Sequence, residues 1–136
     1  MCEYTRMTRI FNEKLLYPEL SYEITGLCFE VHRKLGRFCT ERQYCDELEK
    51  LLKESGHSYK REIEISSLIP NTPAGNRVDF IVEDKIILEI KAKKFITKDD
   101  YIQTLRYLEA ANLGLALLIN FRHTYLKPKR IINSNF

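Results

Sequence analysis

Hydrophobic and polar residues alternate with a period of two through Arg77-Val78-Asp79-Phe80-Ile81-Val82 and again through Ile86-Ile87-Leu88-Glu89-Ile90-Lys91. Strands with one buried face carry this pattern, and Glu83-Asp84-Lys85 between them reads as the turn of a hairpin. In the second strand Ile86, Leu88 and Ile90 point one way, while Ile87, Glu89 and Lys91 point the other. Upstream the period lengthens to that of a helix. Leu20, Ile24, Leu27, Cys28, Val31 and Leu35 form one stripe and predict a helix over 19–35, with Gly36 as its stop. A second helix is predicted over 41–54, with Tyr44, Leu48, Leu51 and Leu52 on its buried side and Gly56 after it.

A first strand is expected over 59–66, where Ile63 and Ile65 alternate with Glu62 and Glu64. Residues 70–76, rich in proline, asparagine and glycine, read as a loop. Thr97 with Asp100 three residues on forms a capping box for a helix to about residue 112, its apolar face carrying Ile102, Leu105 and Leu108. Residues 115–121 read as a buried strand and 127–133 as a short edge strand. Residues 1–17 show no clear period and are taken as an extension; 18–136 form a single domain without repeat or linker. The element order is helix, helix, three strands, helix, strand.

At 136 residues the chain can build one core. With 44% hydrophobic and 30% charged residues, its composition is that of an ordinary globular domain. The longest apolar run, 113–119, is too short to span a bilayer, so no membrane association is expected. The net charge of +3, from 22 basic and 19 acidic residues, permits nucleic-acid binding without arguing for it. The basic residues are clustered, however. Lys91, Lys93, Lys94 and Lys98 lie together, as do Lys127, Lys129 and Arg130, and either group suits a solvated rim or a phosphate track. Four cysteines (Cys2, Cys28, Cys39 and Cys45) include no CxxC pair and no histidine at ligand spacing, which argues against structural zinc. Reduced thiols in a cytoplasm are the default expectation.

Asp79, Glu89 and Lys91 carry the candidate chemistry. Two carboxylates and an ammonium set on one sheet face by adjacent strands would bind a cation and activate water, as phosphodiester hydrolysis requires. The plain alternative is a salt-bridged ladder on a solvated face. Ile81 and Ile87 share that face and partly cover it, and a covered charge needs a partner or a metal. Strand parity places Glu89 and Lys91 together. Asp79 joins them only if the hairpin pairs residues whose numbers sum to an even value, which calls for an odd loop such as Glu83-Asp84-Lys85 or for a bulge.

This order and these residues resemble the PD-(D/E)XK nuclease superfamily, and more closely its small bacterial GxxExxY family. The likeness runs through Glu30-Val31-His32, Leu35-Gly36, Glu41 and Tyr44. It continues through Arg77-x-Asp79, Glu89-x-Lys91, Gln103-x3-Tyr107 and Leu118-Ile119-Asn120-Phe121. It implies an α/β fold with a PD-(D/E)XK nuclease-like core: a central mixed sheet of four to five strands flanked by helices. It further implies a metal-dependent nuclease that hydrolyses nucleic acid through a water activated by carboxylate-bound Mg2+ or Mn2+; the resemblance does not decide between DNA and RNA, and DNA ahead of RNA is a separate expectation. Asp79 and Glu89 would be the metal ligands, with the Ile90 carbonyl as a further oxygen. Lys91 would orient the water or steady charge on phosphate.

Glu41 suits its helix's N-terminal dipole, while the resemblance implies reach to the metal as an extra ligand. Gln103 and Tyr107, one turn apart, would lie beside the site, with Lys93, Lys94 and Lys98 supporting substrate. His32 reads as structural. Two positions depart from the family pattern. Phe38 stands where the naming glycine is expected, and Val78 where the superfamily's proline is expected. A non-catalytic nucleic-acid-binding or protein-interaction module on the same fold remains the alternative.

Overall fold

The computed structural model describes residues 16–67 and 76–136. Most of the expected extension 1–17, Cys2 included, and most of the loop 70–76 therefore lie outside the described residues. The elements are α1 (Pro18–Leu35), α2 (Glu41–Glu54), β1 (Tyr59–Glu64), a 3-10 turn (Ile65–Ser67), β2 (Arg77–Val82) and β3 (Ile86–Lys91), then α3 (Lys98–Ala111), β4 (Leu115–Asn120) and β5 (Lys129–Ile132). The five strands form one sheet in the order β1-β2-β3-β4-β5. Every neighbouring pair is antiparallel except β3 and β4, which are parallel. A parallel pair needs a crossover, and α3 supplies it.

Helices cover both faces of this sheet. On one, Ile24, Cys28 and Val31 of α1 and Tyr44, Leu48 and Leu52 of α2 pack on Phe80, Val82, Leu88, Ile90, Leu117 and Ile119. On the other, Tyr107 and Leu108 of α3 pack on Val78, Ile81, Ile87, Ala116, Leu118 and Ile131. The strands β3 and β4 are buried on both sides, which explains their near-continuous apolar runs.

Three expectations are corrected in detail. The first strand ends at Glu64 rather than 66, because Ile65–Ser67 turns away, with the Ser67 hydroxyl donating to the Glu64 carbonyl at 2.6 Å. The edge strand is shorter than 127–133 and starts at Lys129, since Pro128 has no N–H for a ladder. The helix α3 buries Asp100, Thr104, Tyr107 and Leu108, and Ile102 is exposed. Its sheet-facing stripe is therefore rotated from the Ile102–Leu105–Leu108 face. Polar residues tolerate that burial because they are satisfied locally. Thr104 donates to the Asp100 carbonyl at 2.9 Å, and the Asp100 carboxylate takes the Thr97 N–H at 2.8 Å.

The loop between α1 and α2 is fixed by Tyr44. Its fully buried ring stacks on Phe121 with centroids 4.4 Å apart. Its hydroxyl donates to the Gly36 carbonyl at 2.6 Å and accepts the Cys39 N–H at 3.2 Å. Gly36 has a φ of 76°, a left-handed value that glycine adopts without strain. Tyr44→Phe should keep the stack and lose both bonds, lowering stability by about 1–3 kcal/mol. Urea unfolding checks this, and an unchanged midpoint would contradict it.

Candidate active site

The hairpin turn decides where Asp79 goes. Glu83 and Asp84 both have positive φ, 54° and 53°, and the Lys85 N–H donates to the Val82 carbonyl at 3.0 Å. This is a primed turn in which Asp84 takes a conformation that aspartate tolerates and Glu83 one that glutamate rarely adopts. Strand β1 holds it in place. The Glu83 N–H donates to the Ser58 carbonyl at 2.8 Å, and the Glu83 carboxylate accepts the Ser58 N–H at 2.8 Å. Lys85 is then one extra residue before pairing resumes, so the register is Val82 with Ile86, Ile81 with Ile87 and Phe80 with Leu88. These pairs sum to an even number, and the next rung faces Asp79 with Glu89.

That rung is not an ordinary one. Backbone pairing between β2 and β3 stops at Phe80 and Leu88. Beyond it, the Ile90 N–H donates to Asp79 Oδ2 at 2.7 Å, and the Asp79 N–H donates to Glu89 Oε1 at 3.1 Å. The two carboxyl groups thus sit between the splayed strands and take over the bonds that the ladder gives up. On the other side of Asp79 the pairing of β1 with β2 skips the same rung, joining Arg61 to Phe80 and Ile63 to Val78. The skipped residue, Glu62, has a φ of 55°. The faces of both strands exchange there. Phe80 packs with α1 and α2, whereas Val78 and Ile63 pack on the α3 side. Arg61 reaches Asp46 and Glu49 of α2, at 2.8 and 3.1 Å.

Burial then sets the electrostatics. Glu89 is only 3% exposed, and its pKa is pushed up to about 8 by burial and then by the Asp79 charge. The Asp79 N–H and the charge of Lys91 oppose this rise. Burial also raises Asp79, against the pull of the Ile90 N–H and of Lys91. Two carboxyl groups so close cannot both ionise cheaply, and a cation between them removes the conflict. Lys91, half-buried on the face of Glu89, makes no ion pair among the described residues.

Glu41 opens α2 and lines a cleft of about 380 Å³ with Arg42, Cys45, Arg61, Glu62, Arg77 and Asp79. Its charge adds to the upward pressure on both carboxyl groups. Among the described residues no group of three or more His, Cys, Asp or Glu is placed to hold a metal ion. The donor set gathered at this rung is the pair of Asp79 and Glu89 carboxyl groups. It fits a hard cation that keeps several waters, as Mg2+ does.

From α3, Tyr107 comes to the same place. The resemblance implies a place beside the site for Tyr107, and its side chain is buried. Burial, then the charges of Glu89 and Asp79, raise its pKa, while a hydrogen bond with Gln103 lowers it. Lys93 stands apart from Lys94 and Lys98. Its ammonium pairs with Asp100 at 2.6 Å, and its backbone N–H and carbonyl are both bound by the Asn120 amide, at 3.1 and 2.7 Å. His32 contacts the His123 carbonyl at 2.9 Å, as a structural histidine does. Sequence reasoning missed Arg42, Cys45 and Arg61 around the cleft, whose spacing carries no periodic signal, and it gave Asn120 no role in holding Lys93.

A carboxyl group neutral to about pH 8 in the fold, against a usual value near 4.5, makes the folded state the better proton binder over that interval. In chelator, stability should therefore fall as pH rises from about 4.5 to about 8. Glu89→Gln keeps the acceptor for the Asp79 N–H and removes the ionisation. At pH 8 it should melt higher than wild type, by about 3 °C or more per kcal/mol recovered. Thermal melts across pH check this; parallel pH profiles for the two proteins would contradict it.

A family model described as the PD-(D/E)XK nuclease superfamily matches residues 18–132. Neither the curated proteins nor the solved structures give a match. The matched span takes in α1 through β5 and with them the rung of Asp79 and Glu89, so the chain belongs to the PD-(D/E)XK nuclease superfamily.

Proposed function

We propose that this protein is a metal-dependent nuclease that hydrolyses phosphodiester bonds at the Asp79–Glu89 rung. The observation that carries the reading is the pair of crossed carboxylate-to-backbone bonds, 2.7 and 3.1 Å long, in place of a ladder rung. A sheet gains nothing from two facing carboxyl groups under cover; a cation site needs them. When bound, Mg2+ or Mn2+ supplies Lewis-acid charge and acidifies water. Asp79 and Glu89 hold the ion with the Ile90 carbonyl and fix its place against the sheet. Lys91 directs its ammonium at the charge that builds on phosphate. Tyr107 and Gln103 shield the α3 side of the pair from bulk water.

Glu41 acts through its charge at the mouth of the cleft rather than as a third ligand. The position of Glu41 at the start of α2, three residues before the buried Tyr44, supports the GxxExxY likeness within the superfamily. A cleft on the α3 side, lined by Lys98, Lys127, Lys129 and Arg130, supports a nucleic-acid substrate.

Purified protein with Mg2+ or Mn2+ should cut at least one of single- and double-stranded DNA and RNA, and Asp79→Ala should not. Cleavage that survives Asp79→Ala would defeat the reading. Lys91→Ala should slow cleavage about 100- to 1000-fold with affinity nearly intact. Lys94→Ala with Lys98→Ala should do the reverse, weakening binding and reducing its salt slope by up to about one unit per lost phosphate contact. Lys93→Ala should act differently from both, lowering thermal stability through Asp100 and the start of α3.

A further inference from the structure

Phe38 is an apolar residue that neither core holds. It is 74% exposed, in the short loop between α1 and α2, and it adds nothing to either core cluster. The loop that presents it is held by hydrogen bonds on two sides. Arg37 Nε donates to the Arg122 carbonyl at 2.7 Å, and Arg122 Nε donates back to the Arg37 carbonyl at 3.1 Å. Tyr44 ties Gly36 and Cys39 from beneath. Two guanidinium groups stand against the ring, with Arg37 Cζ 4.8 Å and Arg122 Cζ 5.6 Å from its centroid. Neither is ion-paired with a carboxylate among the described residues.

The position relates this cluster to the candidate active site. Lys91 pairs with Asn120, and the Phe121 N–H donates to the Lys91 carbonyl at 2.9 Å, so Arg122 follows two residues after the rung that carries Lys91. Its Nη2 reaches the Ala92 carbonyl at 3.4 Å. Glu41, three residues after Phe38, lines the cleft that contains Asp79. The exposed ring, its two cations, Lys91 and Glu41 therefore stand at one end of the sheet.

We infer that Phe38 is a stacking platform for an unpaired nucleobase next to the scissile phosphate, with Arg37 and Arg122 receiving the flanking phosphates. This deepens the nuclease reading and rests on it. A rigid exposed ring binds a base at little entropic cost, because neither partner must be ordered much. Every base offers a π-face, but in a duplex both faces are already stacked. A ring of this kind thus selects single strands, frayed ends or gaps. The two uncompensated guanidinium groups match phosphate in charge and geometry.

The chain contains no tryptophan, so Phe38→Trp introduces a single indole at the platform. With EDTA present to prevent cleavage, oligo-dT labelled at one end is titrated while its anisotropy and the indole emission are recorded. The expected result is binding with strong quenching of the indole for oligo-dT, and much weaker quenching for a blunt duplex. Phe38→Ala should weaken oligo-dT binding about 5- to 100-fold, leave duplex binding nearly unchanged and melt like wild type. Oligo-dT that binds without quenching would overturn the platform and leave the nuclease reading standing. Absence of binding would overturn it as well, and cleavage by wild type under Mg2+ tells independently whether the active-site reading survives. Indole emission that shifts with protein concentration alone would assign the ring to contact with a second copy and also overturn the proposal.

Discussion

Strands β2 and β3 stop exchanging backbone bonds after Phe80 and Leu88, and the carboxyl groups of Asp79 and Glu89 take the N–H groups of Ile90 and Asp79 instead. A buried N–H without a partner costs about 1–3 kcal/mol, so strands cannot splay unless something else accepts from them. Here the acceptors are acidic side chains, and accepting those bonds fixes each carboxyl group in position. The same exchange opens the sheet, aims both acids into the gap and leaves the second oxygen of each available. Turn, register and face all serve this rung. Lys85 as an extra residue gives the even register, and the left-handed φ of Glu62 lets β1 follow β2 as its faces swap.

Packing turns this local device into a site with chemistry. The helices α1 and α2 cover one face and α3 the other, so Glu89 is almost without solvent and holds its proton to about pH 8. Burial is thus a destabilising feature of the metal-free fold, maintained by the core around it. Such stored electrostatic cost is characteristic of functional sites. The charge of Lys91 opposes that cost at both acids. The identity of the helices matters less than their closeness. Tyr107 from α3 and Glu41 from α2 bring two further polar groups to the rung from opposite layers.

Much of this could be read from residues alone. The period-two alternation placed Glu89 with Lys91, since strand parity allows nothing else. The capping box at Thr97 and Asp100 placed the start of α3. Asp79 was conditional on an odd loop, and the structure meets the condition with the three residues 83–85, of which Glu83 and Asp84 take positive φ. The exchange of faces at Glu62 was not readable, because Ile63 and Ile65 alternate with Glu62 and Glu64 as in a regular strand. The orientation of α3 was misread for a related reason. Hydrophobicity pointed to Ile102, but Asp100 and Thr104 can be buried when the helix itself and Lys93 satisfy them. Pattern reading sees apolar residues; it does not see polar groups whose needs are met locally. The exposed Phe38 shows the converse, an apolar residue that no core requires.

A divalent-cation site at the Asp79–Glu89 rung must bind metal through those two carboxyl groups. Calorimetric titration with Mn2+ near pH 7, in two buffers of different ionisation enthalpy, tests it most directly. Wild type should bind weakly with release of about one proton, since Glu89 must ionise to serve as a ligand. A double Asp79→Ala, Glu89→Ala variant that remains folded should show neither binding nor proton release. Equal binding and equal proton release by the two proteins would contradict the account.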